Sequence, residues 1–386
     1  MASRGSHPQQ VAINNVRVFD GVGIGTPTTV YIDNGLISEV IDDADFLDGE
    51  NGILVPGFID AHIHLCTEVE QREMARHGVT TALDMATWSQ LTIEALRGLS
   101  GVTDFRTAGK AASAPGSIHS AILPVPAECL LTKPEQAQQF VQARLAENVD
   151  YIKIVADIPG PDQAVMDAVV TEAHKVGKLV VAHAADYHPF KMAQEARVDI
   201  VTHCPCDQAL NDEDCARMVQ DGRVCVPTLT MMEATTSASA LPALLRMFSR
   251  PWVILEIARA KRKAPRSGKR EYKNARDSVV AMHRAGVTLI AGTDAHKEDS
   301  SPFKVKHGDS LHHEFELLVD AGLSTVEVMQ AATSLPANHF GLTDRGAIEI
   351  GKRADLVLLE RNPIEDIRHT RSIKKVWCAG VEVDMT

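Results

Sequence analysis

The sequence predicts an α/β protein: a closed (β/α)₈ barrel with a small composite β-sandwich built from both chain ends. Short apolar runs alternate with amphipathic helical segments through the middle of the chain, and there are eight such runs, the number a closed barrel needs. The runs are nearly continuous in apolar residues, the mark of parallel strands covered on both faces. Both ends of the chain carry a different texture, β-rich stretches cut by Asn, Gly and Asp, and chain ends often meet at one domain surface.

The N-terminal stretches are VAINNVRVFDG, TTVYIDNGLISEVI and GILV, followed by ILVPGFIDAHIHL, which opens the barrel. The next barrel strands are VTTALDM (79–85), FRTAG (105–109), YIKIVAD (151–157), KLVVAHAAD (178–186), DIVTHC (199–204), RVCVPTLT (223–230) and VTLIAGTDA (287–295). Between them PEQAQQFVQARLAE, PDQAVMDAVVTEAHKVG, HPFKMAQEA and NDEDCARMVQDG have polar starts and helical spacing. The end of the chain returns to β texture in GAIEIGKRADLVLLE and IKKVWCAGVEV. The boundaries that follow are 1–54 plus 346–386 for the satellite and 55–345 for the barrel.

Two segments resist a strand or helix assignment. The tract KRKAPRSGKR (261–270) follows a helical run and reads as a solvated loop, with a lid over an anionic substrate as the alternative. HKEDSSPFKVKHGDS (296–310) follows the last barrel strand, so it faces the end of the barrel where chemistry takes place.

Composition narrows the function. A formal net charge of −12 argues against a nucleic-acid binder, and no apolar run is long enough to span a membrane. The first ten residues lack the apolar stretch of a secretory leader. Seven cysteines, an odd number in a long chain, read as reduced thiols of a cytoplasmic protein. Sixteen histidines raise metal or proton chemistry as a candidate without locating it.

The strand assignment locates them. His62 and His64 stand one residue apart at the end of the first barrel strand, so both rings can face one cation. His183, His203 and Asp294 end or follow strands five, six and eight, and Lys153 lies within strand four. Four imidazoles and a carboxylate suit a borderline divalent ion such as Zn²⁺ better than Mg²⁺ or Ca²⁺. Lys153 either points outward between apolar neighbours or enters the cluster, where burial among cations favours the neutral amine.

The ordered set PGFIDAHIHL, YIKIVAD, VAHA, VTHC and AGTDA resembles the amidohydrolase superfamily, in its binuclear branch with a carboxylated lysine on strand four. It is also similar to prolidase-like and imidazolonepropionase-like members through HGDSLHHEFELLVDAGLSTVEVMQAATSLPANHFGL and the C-terminal GAIEIGKRADLVLLERNPIEDI. The resemblance implies a TIM barrel holding two divalent metal ions, with His62, His64 and Asp294 on the more buried one, His183 and His203 on the other, and N6-carboxylated Lys153 bridging them. It further implies a metal-dependent hydrolase that cleaves an amide or peptide-like C–N bond of a small substrate with metal-activated hydroxide, Asp294 moving the proton. Lactone, cyclic imide or ester hydrolysis, a metal-dependent decarboxylase and a noncatalytic metal-binding protein are the alternatives. Deamination of a heterocycle is disfavoured by the lysine bridge, and a homo-oligomer is expected.

The chain departs from this family where relatives carry AHAHG on strand five and an EH pair on strand six; it has AHAADYHP and THCP instead. Tyr187 and His188 are therefore candidates for substrate binding, with bracing of their loop as the alternative. His307 is a further pocket candidate, whereas His312 and His313 fall on the following helix. Asp84 and Asp60, both at strand ends, are candidates for orienting a ligand histidine or for structural roles.

Overall fold

A computed structural model describes residues 10–87, 89–123, 125–237, 268–297 and 303–386, with isolated positions between 238 and 267. The helical run at 241–260 and most of the basic tract at 261–270 therefore lie outside the described residues.

All eight predicted barrel strands form. They are β6 (Phe58–Ile63), β7 (Val79–Asp84), β8 (Asp104–Thr107), β9 (Ile152–Val155), β10 (Val180–His183), β11 (Ile200–Thr202), β12 (Val224–Val226) and β13 (Thr288–Leu289). They pair in parallel in the orders β6-β7-β8 and β13-β12-β11-β10-β9. Two parallel bridges, Ile63 with Ala295 and Ala112 with Ile154, close the seams between these arcs. At the first seam Gly292 is required by close approach, since a Cβ there would sit 2.9 Å from the His62 backbone nitrogen and 2.5 Å from Val226.

The period of two within each strand separates an apolar floor from a polar mouth. Tyr151, Val181, Ile200 and Val224 pack in one buried cluster, and two residues further along the same strands stand Lys153, His183, Thr202 and Val226. Outside the strands lie the expected helices, including Ala137–Ala146, Gln163–Lys175, Tyr187–Glu195 and Asp212–Gln220. Asp162 and Asn211 cap the second and fourth of these through side-chain oxygens, the polar start signals read from the sequence.

The chain ends join as expected. Among the described residues, β1 (Val11–Phe19), β2 (Ile24–Asp33), β3 (Leu36–Ser38), β4 (Asp45–Asp48) and β5 (Ile53–Pro56) form one mixed sheet with β14 (Leu356–Leu359), β15 (Ile373–Cys378) and β16 (Val381–Glu382). β5 pairs antiparallel with β14 and runs through Gly57 into β6, so the satellite is hydrogen-bonded to the strand that leads into the barrel. Only the second half of GAIEIGKRADLVLLE is strand, because Gly346 and Gly351 adopt φ of +86° and +87° and break the extended run. Arg345, 3% exposed, latches this segment to the barrel through Asp104 (2.6 Å) and Thr81 (2.9 Å).

All seven cysteines are free thiols, with Cys66 exposed and the others buried. Among the described residues no helix is long and apolar enough to cross a membrane.

Candidate metal centre

The six polar strand-end residues converge on one mouth of the barrel. Asp294 Oδ1 lies 3.0 Å from His64 Nε2 and 3.4 Å from His62 Nε2. The His62 ring stands 4.8 Å from that of His203, which stands 4.3 Å from that of His183. Lys153 points inward, is buried, and donates from Nζ to Thr202 Oγ1 at 2.9 Å, so the outward alternative is excluded.

Backbone conformation aims two of these side chains. His203, directly after β11, and Asp294, five residues beyond β13, have φ of +75° and +59°, a left-handed conformation that turns the chain sharply at the rim. Asp294 N donates to the His62 carbonyl at 2.7 Å, which fixes strand eight against strand one. Asp60 adds a second tie: its carboxyl accepts from His62 N (3.2 Å), Thr293 N (3.0 Å) and Thr293 Oγ1 (2.7 Å). Asp84 does the same for neighbouring strands, accepting from Leu65 N, Thr87 Oγ1 and Thr107 Oγ1. Both carboxyls serve as structural ties. Asp60→Ala would strand buried donors on two strand ends, and we expect a loss on the order of 3 kcal/mol in urea unfolding.

Burial governs the electrostatics. It lowers His62 to about 3 and holds His183 and His203 well below the usual imidazole range, so all three are neutral, the form in which imidazole binds a metal. Burial likewise brings the Lys153 amine down to about 7. For Asp294 burial alone would raise the carboxyl, but His62, His64 and His203 together hold it well below the carboxylate range. The mouth therefore carries the ionised Asp294 carboxylate beside the neutral rings of His62, His183 and His203, while, despite burial, that carboxylate raises the His64 imidazole.

Two triads offer ligand atoms close enough for a cation, His62 with His203 and Asp294, and His119 with Asp157 and His183; within each the atoms lie within 4.8 Å of one another. The residues fit divalent metal: His62 Nδ1 and His203 Nε2 are buried with no hydrogen-bond partner among the described residues, and the donors are nitrogen and carboxylate oxygen. The pair marks a binuclear metal site. The ligand atoms group His203 with His62 and Asp294, although its ring stands closer to that of His183, with which the family resemblance groups it.

His119 and Asp157 were not among the expected site residues. Asp157 Oδ2 lies 2.7 Å from His119 Nδ1, and the His119 and His183 rings are 4.4 Å apart. Asp157 ends YIKIVAD as Asp294 ends GTD, a carboxylate at a strand terminus that was a readable signal; His119 sits on the short helix Ile118–Ile122 in a loop without a motif.

The substrate-binding candidates lie apart from this cluster. Tyr187 begins helix Tyr187–Glu195, and its hydroxyl accepts from Asn211 Nδ2 at 3.4 Å. His188 beside it is exposed. His307 is buried, with Nε2 3.0 Å from the His64 carbonyl oxygen, so its ring braces the backbone of the first strand's end. His312 is buried in the helix Asp309–Asp320, between Thr370 and the His77 carbonyl.

A parallel eight-stranded barrel with a binuclear His/Asp site in its mouth is the arrangement that the resemblance to amidohydrolases implies. The chain belongs to the amidohydrolase family, whose model matches residues 53–383. It is 27% identical over 384 residues to an adenine deaminase of Gluconobacter oxydans, covering 94% of this chain and 58% of the relative. To adenine deaminase 2 of Carboxydothermus hydrogenoformans it is 26% identical over 372 residues, covering 92% of this chain and 55% of the relative. The chain thus spans little more than half the length of these relatives. Among solved structures, a Xaa-Pro dipeptidase with methionine bound in its active site superposes with a TM-score of 0.78 at 22% identity, covering 97% of this chain and 99% of that one. A prolidase from Bifidobacterium longum superposes at 0.76 with 23% identity, covering 97% and 94%. At these identities the two structures share the fold.

Proposed function

We propose that this chain hydrolyses the amide or peptide bond of a small substrate such as a dipeptide or N-acyl amino acid. The observation that carries the reading is the inward, buried Lys153 beside four histidines and Asp294 at one barrel mouth. In this reading His62, His64, His183, His203 and Asp294 would hold two divalent ions such as Zn²⁺, with carboxylated Lys153 as a further ligand. When bound, the two ions supply a hydroxide nucleophile near neutral pH and polarise the scissile carbonyl. Asp294, held ionised by its histidines, takes the proton of the attacking water and delivers it to the departing nitrogen. The buried floor beneath Lys153 and His183 excludes water from below, so substrate enters only through the mouth. His188, exposed in the first turn of helix Tyr187–Glu195 after β10, and the buried Tyr187 before it are the proposed specificity positions. His307 acts in this scheme through the His64 backbone it braces.

A second reading, deamination of a purine, is favoured by the similarity to adenine deaminases over most of this chain. A panel of dipeptides, including Xaa-Pro, N-acyl amino acids and adenine separates the two. Release of free amino acid is expected, and ammonia from adenine with no peptide cleavage overturns the first reading. Stripping metal with a chelator should abolish turnover and Zn²⁺ should restore it; turnover that persists in metal-free protein removes the metal-dependent mechanism.

A further inference from the structure

Thr228 precedes helix Leu229–Thr236 with φ +47° and ψ +48°. A β-branched side chain in that left-handed region is strained, so its surroundings must hold it there. Threonine at this position of a helix ordinarily turns its hydroxyl onto a backbone N–H of the first turn. Thr228 makes no such bond. Its Oγ1 lies instead 2.7 Å from Nδ1 of His203.

The vacated capping role belongs to Glu314, a wholly buried residue of the helix Asp309–Asp320. Its Oε1 accepts from Leu229 N at 2.9 Å, and its Oε2 accepts from Thr230 N at 2.7 Å and Thr230 Oγ1 at 2.9 Å. A carboxylate on these first N–H groups also faces the positive end of the helix dipole. With Nδ1 committed to Thr228, His203 presents the buried Nε2, unpartnered among the described residues, on the ring edge away from that hydroxyl. The neighbouring rings are those of His62 and His183.

We propose that Thr228 and Glu314 are a positioning pair for His203: Glu314 caps the helix in place of Thr228, and the freed Thr228 hydroxyl fixes the ring with Nε2 available to the metal centre. This rests on His203 being a ligand. A metal-binding histidine whose second nitrogen is held by a neighbour commonly loses 10–100-fold in metal affinity when that neighbour is removed.

Co²⁺ titration of the metal-free full chain, followed by the visible absorption of the bound ion, tests the pair. Thr228→Gly removes the hydroxyl but tolerates the left-handed backbone, so the thermal midpoint should hold while one Co²⁺ equivalent weakens by about 10–100-fold. Thr228→Ser should bind both equivalents almost as the parent does, and Glu314→Gln should weaken the same equivalent as Thr228→Gly. In metal-free protein, long-range ¹⁵N–¹H correlation should show the His203 proton on Nδ1 in the parent and Thr228→Ser, and mixed tautomers in Thr228→Gly. Parent-like Co²⁺ binding by folded Thr228→Gly, or a Thr228→Ser defect as large as that of Thr228→Gly, overturns the proposal. His203→Ala is the control: if it too leaves both equivalents intact, the ligand assignment itself has failed, whereas loss of an equivalent in His203→Ala alone sinks only the positioning pair.

Discussion

Asp294→Asn should lower kcat by about 10²–10⁴-fold while KM moves little, because the amide keeps the shape of the carboxylate but cannot take a proton from water. The substitution removes the one carboxylate that lies within 3.4 Å of both His62 and His64 Nε2. It also removes the charge that those rings stabilise, so weakened metal retention is expected alongside slower turnover. Elemental analysis separates the effects: the rate defect should persist in samples reloaded to full metal content. Unchanged kcat at full occupancy would take the proton-carrying role away from Asp294.

Lys153→Ala should have the second large effect, the loss of stable occupancy at one or both metal positions together with turnover. The amine is inward, buried and 2.9 Å from Thr202 Oγ1, so no surface role competes with the proposed bridge. Carboxylation needs the neutral amine as nucleophile, and burial brings its pKa down to about 7. Above pH 7 the neutral form predominates and below it the ammonium does. Metal loading of the stripped protein with bicarbonate and Zn²⁺ should therefore proceed at pH 8 and falter near pH 6. Short-chain carboxylic acids, which can stand in for the lost carbamate, should partly restore the alanine variant, whereas bicarbonate alone should not. Two metals bound to Lys153→Ala with parental affinity would exclude the bridge.

The barrel was legible because parallel strands buried on both faces leave near-continuous apolar runs; seven of the strands β6 to β13 fall within one, and β8 begins a single residue before its run. His62, His64, His183, His203 and Asp294 were legible for a related reason, standing at or just beyond the ends of such runs, whereas Lys153, inside its run, could equally have pointed outward and was drawn into the cluster only by the family resemblance. What escaped lies off the strands. His119 is carried by a five-residue helix in a loop, where no periodicity constrains direction, and only its contacts with Asp157 and His183 reveal its place. Thr228 is similar: it falls in RVCVPTLT, read from sequence as strand, and its hydroxyl is freed by a glutamate far along the chain. The residues 346–351 read as extended because Ala, Ile and Glu alternate there, but the flanking glycines' positive φ decides otherwise.

The pairing of β5 with β14 has a consequence for how the protein is made. Leu356 lies against Pro56, and β5 continues directly into the strand that carries His62. On the ribosome, β5 must wait for the whole barrel to be made before β14 emerges, so that edge of β5 stays open through this stretch of synthesis. His62 and Asp294, from the first and last barrel strands, likewise meet only after the strands between them have been made. If they hold metal together as proposed, firm capture waits for strand eight, and a chain released before it would present scattered histidines in place of the assembled cluster.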